Sequence, residues 1–278
     1  MQKNKLWLKI IVIILLFHAN LSFAWNSYGH KLIAQIAYQN LTADALELFT
    51  KTSKGKKAVN PEIVFINSAP WLDKLRGPKF KKLHRLHYIN LAYTPDNSLV
   101  LPPSVPNAVT AIVYATKILS SDAASTRDKN FNFKVLLHVV GDIHQPLHAT
   151  SIYSKDFPRG DLGGNLIALA PNPVAKSLHS FWDAGGGLLK VKRKLRAKDV
   201  KQKAREISAR WPCDMNSEIL DPIIWAQESH EIGVNFAHPY TPNTRPSTSY
   251  QQKTKNISEE RIALAGCRLA KLLNKIAN

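Results

Sequence analysis

The sequence predicts an all-α fold, a single compact multi-helix domain with at most a small β element. Three observations carry this prediction. Apolar residues recur at three- and four-residue spacing through most of the chain, as at Leu32, Ile33, Ile36 and Ala37, which is the signature of amphipathic helices. Strand-like runs are few and short, confined to "LHYINL" and "NLIALA". The stretches rich in turn residues, "TPDNSLVLPPSVP", "SKDFPRGDLGGN" and "HPYTPNTRPSTSYQQ", read as loops, and none has the length and monotony of a linker between domains. No repeat of solenoid period is present.

Taken in order, the chain opens with Lys3, Lys5 and Lys9, then the apolar run "IIVIILLF", then "SFA" with small residues where a signal peptidase needs them. Residues 1–24 are therefore expected to be a signal peptide, removed between Ala24 and Trp25. The apolar run is shorter than the roughly 18 residues that span a bilayer; an uncleaved anchor extended over Leu6 to Leu8 is the alternative. The remaining residues, 25–278, form the exported domain, large enough for a substantial core. Its periodic segments lie near 30–40, 43–51, 104–121, 131–144, 176–190, 196–210, 216–235 and 258–276. The formal charge of the full chain is +18. The prefix holds three lysines and no acid, so about +15 remains after cleavage (18 − 3). That balance favours polyanions or an anionic membrane surface as partners without specifying the fold. Lysine and arginine crowd the stretch from Lys190 to Arg210, either as a solvated helix face or as a phosphate-tracking patch.

Two cysteines, Cys213 and Cys267, lie in the exported part, where one disulfide is the expected use. Neither belongs to a C-x-x-C pair, and no G-x-S-x-G elbow or Gly-rich phosphate loop occurs, so thiol, serine-elbow and P-loop chemistries have no foothold. Chemistry is concentrated in the ten histidines. "LLHVVGDIHQPLH" sets His138 and Asp142 one helical turn apart on one face, and "LHSFWD" repeats the arrangement with His179 and Asp183. A single H-x-x-x-D is usually a hydrogen-bonded core histidine or a surface ion pair. Two of them joined by His148 point to a metal site, and imidazole with carboxylate suits zinc. "WLDKLRGPKFKKLHRLHYIN" adds Asp73 and one of His84 or His87. If Trp25 becomes the terminus, its α-amine and carbonyl form a chelate that His30 can complete; otherwise Trp25 is a buried aromatic.

In order and spacing, "WNSYGH", "WLDKLR", "LHYIN", "HVVGDIHQPLH", "GGN", "LHSFWD" and "RIALAGCRLAKLL" resemble the S-one/P-one type zinc nucleases, which are similar in fold to bacterial zinc phospholipase C. The resemblance implies three zinc ions. Asp73, His87, His138 and Asp142 would hold one; His148, His179 and Asp183 a second; Trp25, His30 and a bridging Asp142 the third. It selects His87 over His84 because Tyr88 supplies the aromatic that follows the family's ligand and stacks on a base. Asp73, Arg76 and Asp142 are the implied catalytic residues, Arg76 steadying Asp73 or the phosphate, and Asn165 of "GGN" an implied substrate contact. The loop from Ala149 to Leu162 departs from the fungal pattern, so the opposite wall of the base pocket is not carried over.

The activity implied is hydrolysis of P–O3′ bonds in single-stranded DNA and RNA to 5′-phosphate products, with 3′-nucleotidase action, by an exported monomer, periplasmic or secreted, that is not held in a membrane once its signal is removed. Three zinc ions against Asp73, Asp142 and Asp183 leave about +3, which attracts phosphodiesters. A zinc phospholipase C is the nearest alternative, although that family usually has Glu where Asp183 stands; a binding protein that has lost catalysis is the non-enzymatic one.

Overall fold

The computed structural model describes residues 25–53, 60–75, 77–191 and 195–278. The expected signal peptide and Arg76 lie outside the described residues. The remainder is built almost entirely of helices: α1 (Ser27–Gln39), α2 (Ala43–Thr52), α3 (Pro61–Ser68), α4 (Ala108–Leu119), α5 (Thr126–Ile143), α6 (Pro146–Ala149), α7 (Leu178–Asp183), α8 (Ala197–Arg210), α9 (Pro222–Ile232) and α10 (Thr248–Ala277). Tighter 3-10 turns occupy Ala69–Lys74 and Pro78–His87. The all-α reading is correct, and the β element is a two-stranded parallel pair, β1 (Leu91–Tyr93) and β2 (Thr150–Ile152), in the register Leu91 to Thr150.

Helix α5 is the axis of the domain. Its first turns are polar, but Val135, Leu136, Leu137, Val139, Val140 and Ile143 are all buried, as are His138 and Asp142, so its second half is enclosed by neighbours on every side. Helices α4, α2 and α10 pack against it, and α1 packs on α10, α8 and α3. Phe49, Phe65 and Phe133 meet edge-to-face or tilted at 5.1–5.8 Å between centroids in this main core. A second, smaller core gathers Leu147, Ile167, Leu169, Leu178, Phe181, Trp182 and Ala237 under α6, α7 and α9. The Cys213–Cys267 disulfide ties the loop after α8 to α10. No helix among the described residues is long and apolar enough to cross a membrane.

Several sequence expectations are corrected. "NLIALA" is not a strand and contributes only an isolated bridge between Ala168 and Ser177. The second strand follows His148 instead, where period-2 patterning over three residues is too short to read. Helix α10 starts ten residues before the expected 258, because Ser247 caps it by accepting from the Tyr250 amide. Helix α3 was hidden by its apolar run "IVF", which is not periodic at helical spacing, although Asn60 caps it and Pro61 occupies its first position.

Candidate metal centre

Local structure delivers each candidate ligand. On α5, His138 and Asp142 are one turn apart on a single face, and α7 presents His179 and Asp183 in the same way. Ser177 starts α7 by accepting from the Ser180 amide. Asn26 starts α1 by accepting from the amides of Tyr28 and Gly29, which sets His30 in the first turn. Asp73 comes from the 3-10 turn Ala69–Lys74, and His87 ends the turn Pro78–His87. His148 sits in α6, and its carbonyl accepts from the Ile89 amide, so the β1–β2 pair holds His87 and His148 together.

These side chains converge in three groups: His30 with His138 and Asp142; Asp73 with His87 and His138; His148 with His179 and Asp183. Within each group the donor atoms lie within 4.8 Å of one another. His138 Nε2 is 3.3 Å from Asp73 Oδ1, 3.3 Å from Asp142 Oδ2 and 3.1 Å from His87 Nδ1. Asp142 turns its other oxygen to His30 Nε2 at 3.3 Å, so one carboxylate faces two groups. In the third group His148 Nε2 and His179 Nε2 are 3.1 Å apart, with Asp183 Oδ1 at 3.9 and 3.5 Å. The first two groups stand on the main core and the third on the smaller one, so the centre spans the junction of the two.

The donor set fits metal ions. His138 Nδ1 donates to the Ala69 carbonyl at 2.8 Å, His148 Nδ1 to the His87 carbonyl at 2.6 Å, and His179 Nδ1 to the Gly163 carbonyl at 2.6 Å. With those protons committed outward, each Nε2 points a lone pair inward, the arrangement that orients ligating imidazoles. The facing Nε2 atoms of His148 and His179 both present lone pairs, which repel unless a cation lies between them. Both nitrogens of His30, Oδ1 of Asp73 and both oxygens of Asp142 are buried without a hydrogen-bond partner. His87 Nδ1 lies 2.9 Å from Asp142 Oδ2, close but not aligned as a hydrogen bond. Buried donors this poorly served are costly unless they coordinate something.

Without an ion the groups differ electrostatically, and a metal at His138 would take the place of its Nε2 proton. Burial drives His30 down to about 3, and the neighbouring His138 adds to the fall. Burial opposes the charged form of His138 as well, but Asp142 and Asp73 outweigh it and push that imidazole up to about 9. Burial likewise works to raise Asp73 and Asp142, yet the charge of His138 holds both below the usual carboxylate range. Asp183 behaves oppositely: burial lifts it well above that range, with Asp73 and Asp142 adding to the rise against a hydrogen bond from Gln145. Burial lowers His148 and His179. The side chains of His30, His138 and Asp142 are fully enclosed, whereas Asp73, His87 and Asp183 are 10–11% exposed. The centre therefore opens to solvent along the Asp73, His87 and Asp183 side.

The other predicted residues differ in burial and in their partners. Tyr88 follows His87 directly, half-buried and extended in backbone, with its carbonyl accepting from the Ala108 amide. Asn165 is half-buried and its amide nitrogen donates to the Leu162 carbonyl. The Trp25 ring is fully buried and donates to the Gly141 carbonyl at 3.0 Å, beside Asp142, while the Asn26 amide donates to the Asp183 carbonyl at 3.1 Å. Residue 25 is thereby pinned against the centre. His84, the alternative to His87, is not among the converging donors.

The sequence reasoning missed Gln145 altogether and, of the "GGN" glycine Gly163, its role behind His179. Gln145 is fully buried, donates to Asp183 Oδ1 at 2.6 Å and accepts from the Leu147 amide at 2.6 Å. Its place inside "HQPLH" was the available signal. Gly163 takes φ +61, and a Cβ there would meet the Leu147 carbonyl oxygen at 2.3 Å, so only glycine lets this loop bring its own carbonyl to His179.

Helical packing around converging, buried His/Asp triads defines the class, a helical domain with a candidate metal centre. The chain belongs to the S1/P1 nuclease family, whose family model matches residues 25–278. It is 27% identical to Nuclease S1 of Aspergillus oryzae, with 94% of each chain covered. It is 26% identical to Endonuclease 3 of Arabidopsis thaliana, covering 98% of this chain and 95% of the relative. Nuclease P1 of Penicillium citrinum is 24% identical over 57% of each chain. The protein is thus a nuclease, a hydrolase of ester bonds.

Proposed function

We propose that this protein is an exported, trinuclear zinc nuclease that hydrolyses P–O3′ bonds of single-stranded DNA and RNA and also acts as a 3′-nucleotidase. The observation that carries the reading is the convergence of three His/Asp groups, two of which meet at Asp142, whose oxygens face one group each. Asp73, His87, His138 and Asp142 would hold one ion, His148, His179 and Asp183 a second, and His30 with Asp142 and the freed terminus of Trp25 a third. When bound, zinc supplies Lewis acidity, polarising phosphate oxygens and lowering the pKa of water to about 7.

The chain's own residues do the rest. The carbonyls of Ala69, His87 and Gly163 fix three imidazoles in the tautomer that leaves Nε2 free. Enclosure of His30, His138 and Asp142 keeps bulk water from the interior face, so a phosphodiester approaches only past Asp73, His87 and Asp183. Tyr88, beside His87, offers a ring on which a base leaving its stack can lie, a contact worth roughly 1–3 kcal/mol. Duplexes hold their bases inside, which favours single strands. In the net reaction the water oxygen joins phosphorus as the P–O3′ bond breaks, giving a 5′-phosphate on one fragment and a 3′-hydroxyl on the other.

Export is supported by the layout of residues 1–24 and by the Cys213–Cys267 disulfide, which suits an oxidising compartment, periplasmic or extracellular. The domain would act as a monomer. The deciding experiment measures zinc per chain, the N-terminal residue and the cleavage products of single-stranded DNA on one exported preparation. Three zinc ions, Trp25 at the terminus and 5′-phosphate ends are expected. Full activity after complete zinc removal would overturn the reading.

A further inference from the structure

The segment Pro78–His87 is a 3-10 helix of ten residues, longer than the three or four usual for this geometry. A 3-10 helix repeats every three residues, so side chains at i and i+3 stack in rows. The sequence "PKFKKLHRLH" divides into three such rows. Phe80, Leu83 and Leu86 form one, with Leu83 and Leu86 packed on the main core. Lys81, His84 and His87 form the second, passing from exposed through half-buried to buried as it descends to the metal centre. Lys79, Lys82 and Arg85 form the third and are all exposed.

No aspartate or glutamate occurs from Lys74 to Pro95, so this ridge lacks the acids that neutralise other basic surfaces of the chain. The contrast is with α8, where Arg196 pairs with Asp199, Lys201 with Glu62, and Lys203 and Arg210 with Glu259. Among the described residues, none of Lys79, Lys81, Lys82 and Arg85 takes part in an ion pair. Four described cations of the crowded stretch are thus paired with acids, whereas on the ridge Lys79 rests its ammonium 4.9 Å from the centroid of the Phe80 ring and no described acid pairs with it, Lys82 or Arg85.

We propose that Lys79, Lys82 and Arg85 form a phosphate-guiding ridge for a single-stranded polynucleotide, meeting one phosphate per turn of about 6 Å and leading the strand to Tyr88 and the Asp73, His87 and Asp183 opening. This rests on the nuclease reading above and adds a substrate-length preference to it. Polynucleotides reach the ridge as well as the centre, but a mononucleotide occupies the centre alone.

The test compares the triple variant Lys79→Gln, Lys82→Gln, Arg85→Gln with a control triple, Arg127→Gln, Lys198→Gln, Lys275→Gln, which removes equal charge from exposed positions elsewhere. Hydrolysis of poly(dT) and of 3′-AMP is followed between 50 and 200 mM salt. Each lost phosphate contact on a single strand lowers the slope of log affinity against log salt by about 0.7, so the ridge variant should flatten the slope of KM for poly(dT) by about 2. Its KM for poly(dT) at low salt should rise, while kcat on poly(dT) and both constants for 3′-AMP stay at wild-type values. A wild-type slope in the ridge variant, or an equal loss in the control, overturns the proposal. Absence of turnover in the wild type would instead defeat the nuclease reading; anisotropy of labelled poly(dT) then tests the ridge directly, through the same change in salt slope.

Discussion

Replacing Gln145 by Leu isolates a positioning role that the structure assigns to one hydrogen bond. The Gln145 amide is the donor to Asp183 Oδ1 at 2.6 Å, while the imidazoles of His148 and His179 stand off at 3.9 and 3.5 Å. Burial holds the Asp183 carboxyl well above the ordinary range, so in the metal-free protein it stays protonated more readily than a surface aspartate. Zinc needs the ionised form. The amide therefore favours the charged, ligating state, and a hydrogen bond to a charged group is worth about 1.5–3 kcal/mol. Lost from the metal-bound state, that corresponds to roughly 10- to 150-fold weaker binding at one site, close to the effect of other groups that support metal ligands from behind. Competition with a chelator of known affinity on the folded variant should show one weakened site per chain and the others unchanged. Melting of the fully loaded variant checks the separate cost of stranding the Leu147 amide. Wild-type affinity at every site in a folded Gln145→Leu protein would refute the reasoning.

Asp142→Ala removes the carboxylate shared by two groups and should abolish nuclease activity with loss of bound zinc; three ions retained per chain would disprove the bridge. Tyr88→Ala should raise KM for single strands by roughly 5- to 150-fold, the equivalent of about 1–3 kcal/mol of stacking, with zinc content unaltered by metal analysis. His238, buried beside Asp161 and outside the metal groups, is held down to about 4 by burial, with His230 adding to the effect. A folded pKa below the unfolded value contributes stability above pH 6.5 that is lost as pH falls from 6.5 towards 4, up to roughly 3 kcal/mol in total. His238→Gln should flatten the dependence of denaturant midpoint on pH across that window; an unchanged acid limb would place the titrating group elsewhere.

Much of the candidate centre was legible because its ligands obey local periodicity. His138 with Asp142 and His179 with Asp183 are one turn apart, and a helix alone puts each pair on one face. Distances between the pairs were beyond local reasoning. That Asp142 offers one oxygen to His30 and the other to His87 depends on how α1 and the Pro78–His87 turn pack against α5, a matter of core shape rather than spacing. Helix α3 and strand β2 escaped notice because one lacks periodicity and the other is three residues long.

By itself, the sequence determined the helical class, the histidine and aspartate types that suit zinc, the basic balance and the cysteine pair, since these follow from composition and short-range pattern. Tertiary structure alone decided which donors face one another, that Gln145 supports Asp183, that Gly163 must lack a side chain, and that three cations of the Pro78–His87 turn line up in one row. The physical reason is that a helix specifies its own faces locally, whereas the meeting of faces from distant segments, and the choice of a 3-10 over an α repeat, are settled by the packing that surrounds them.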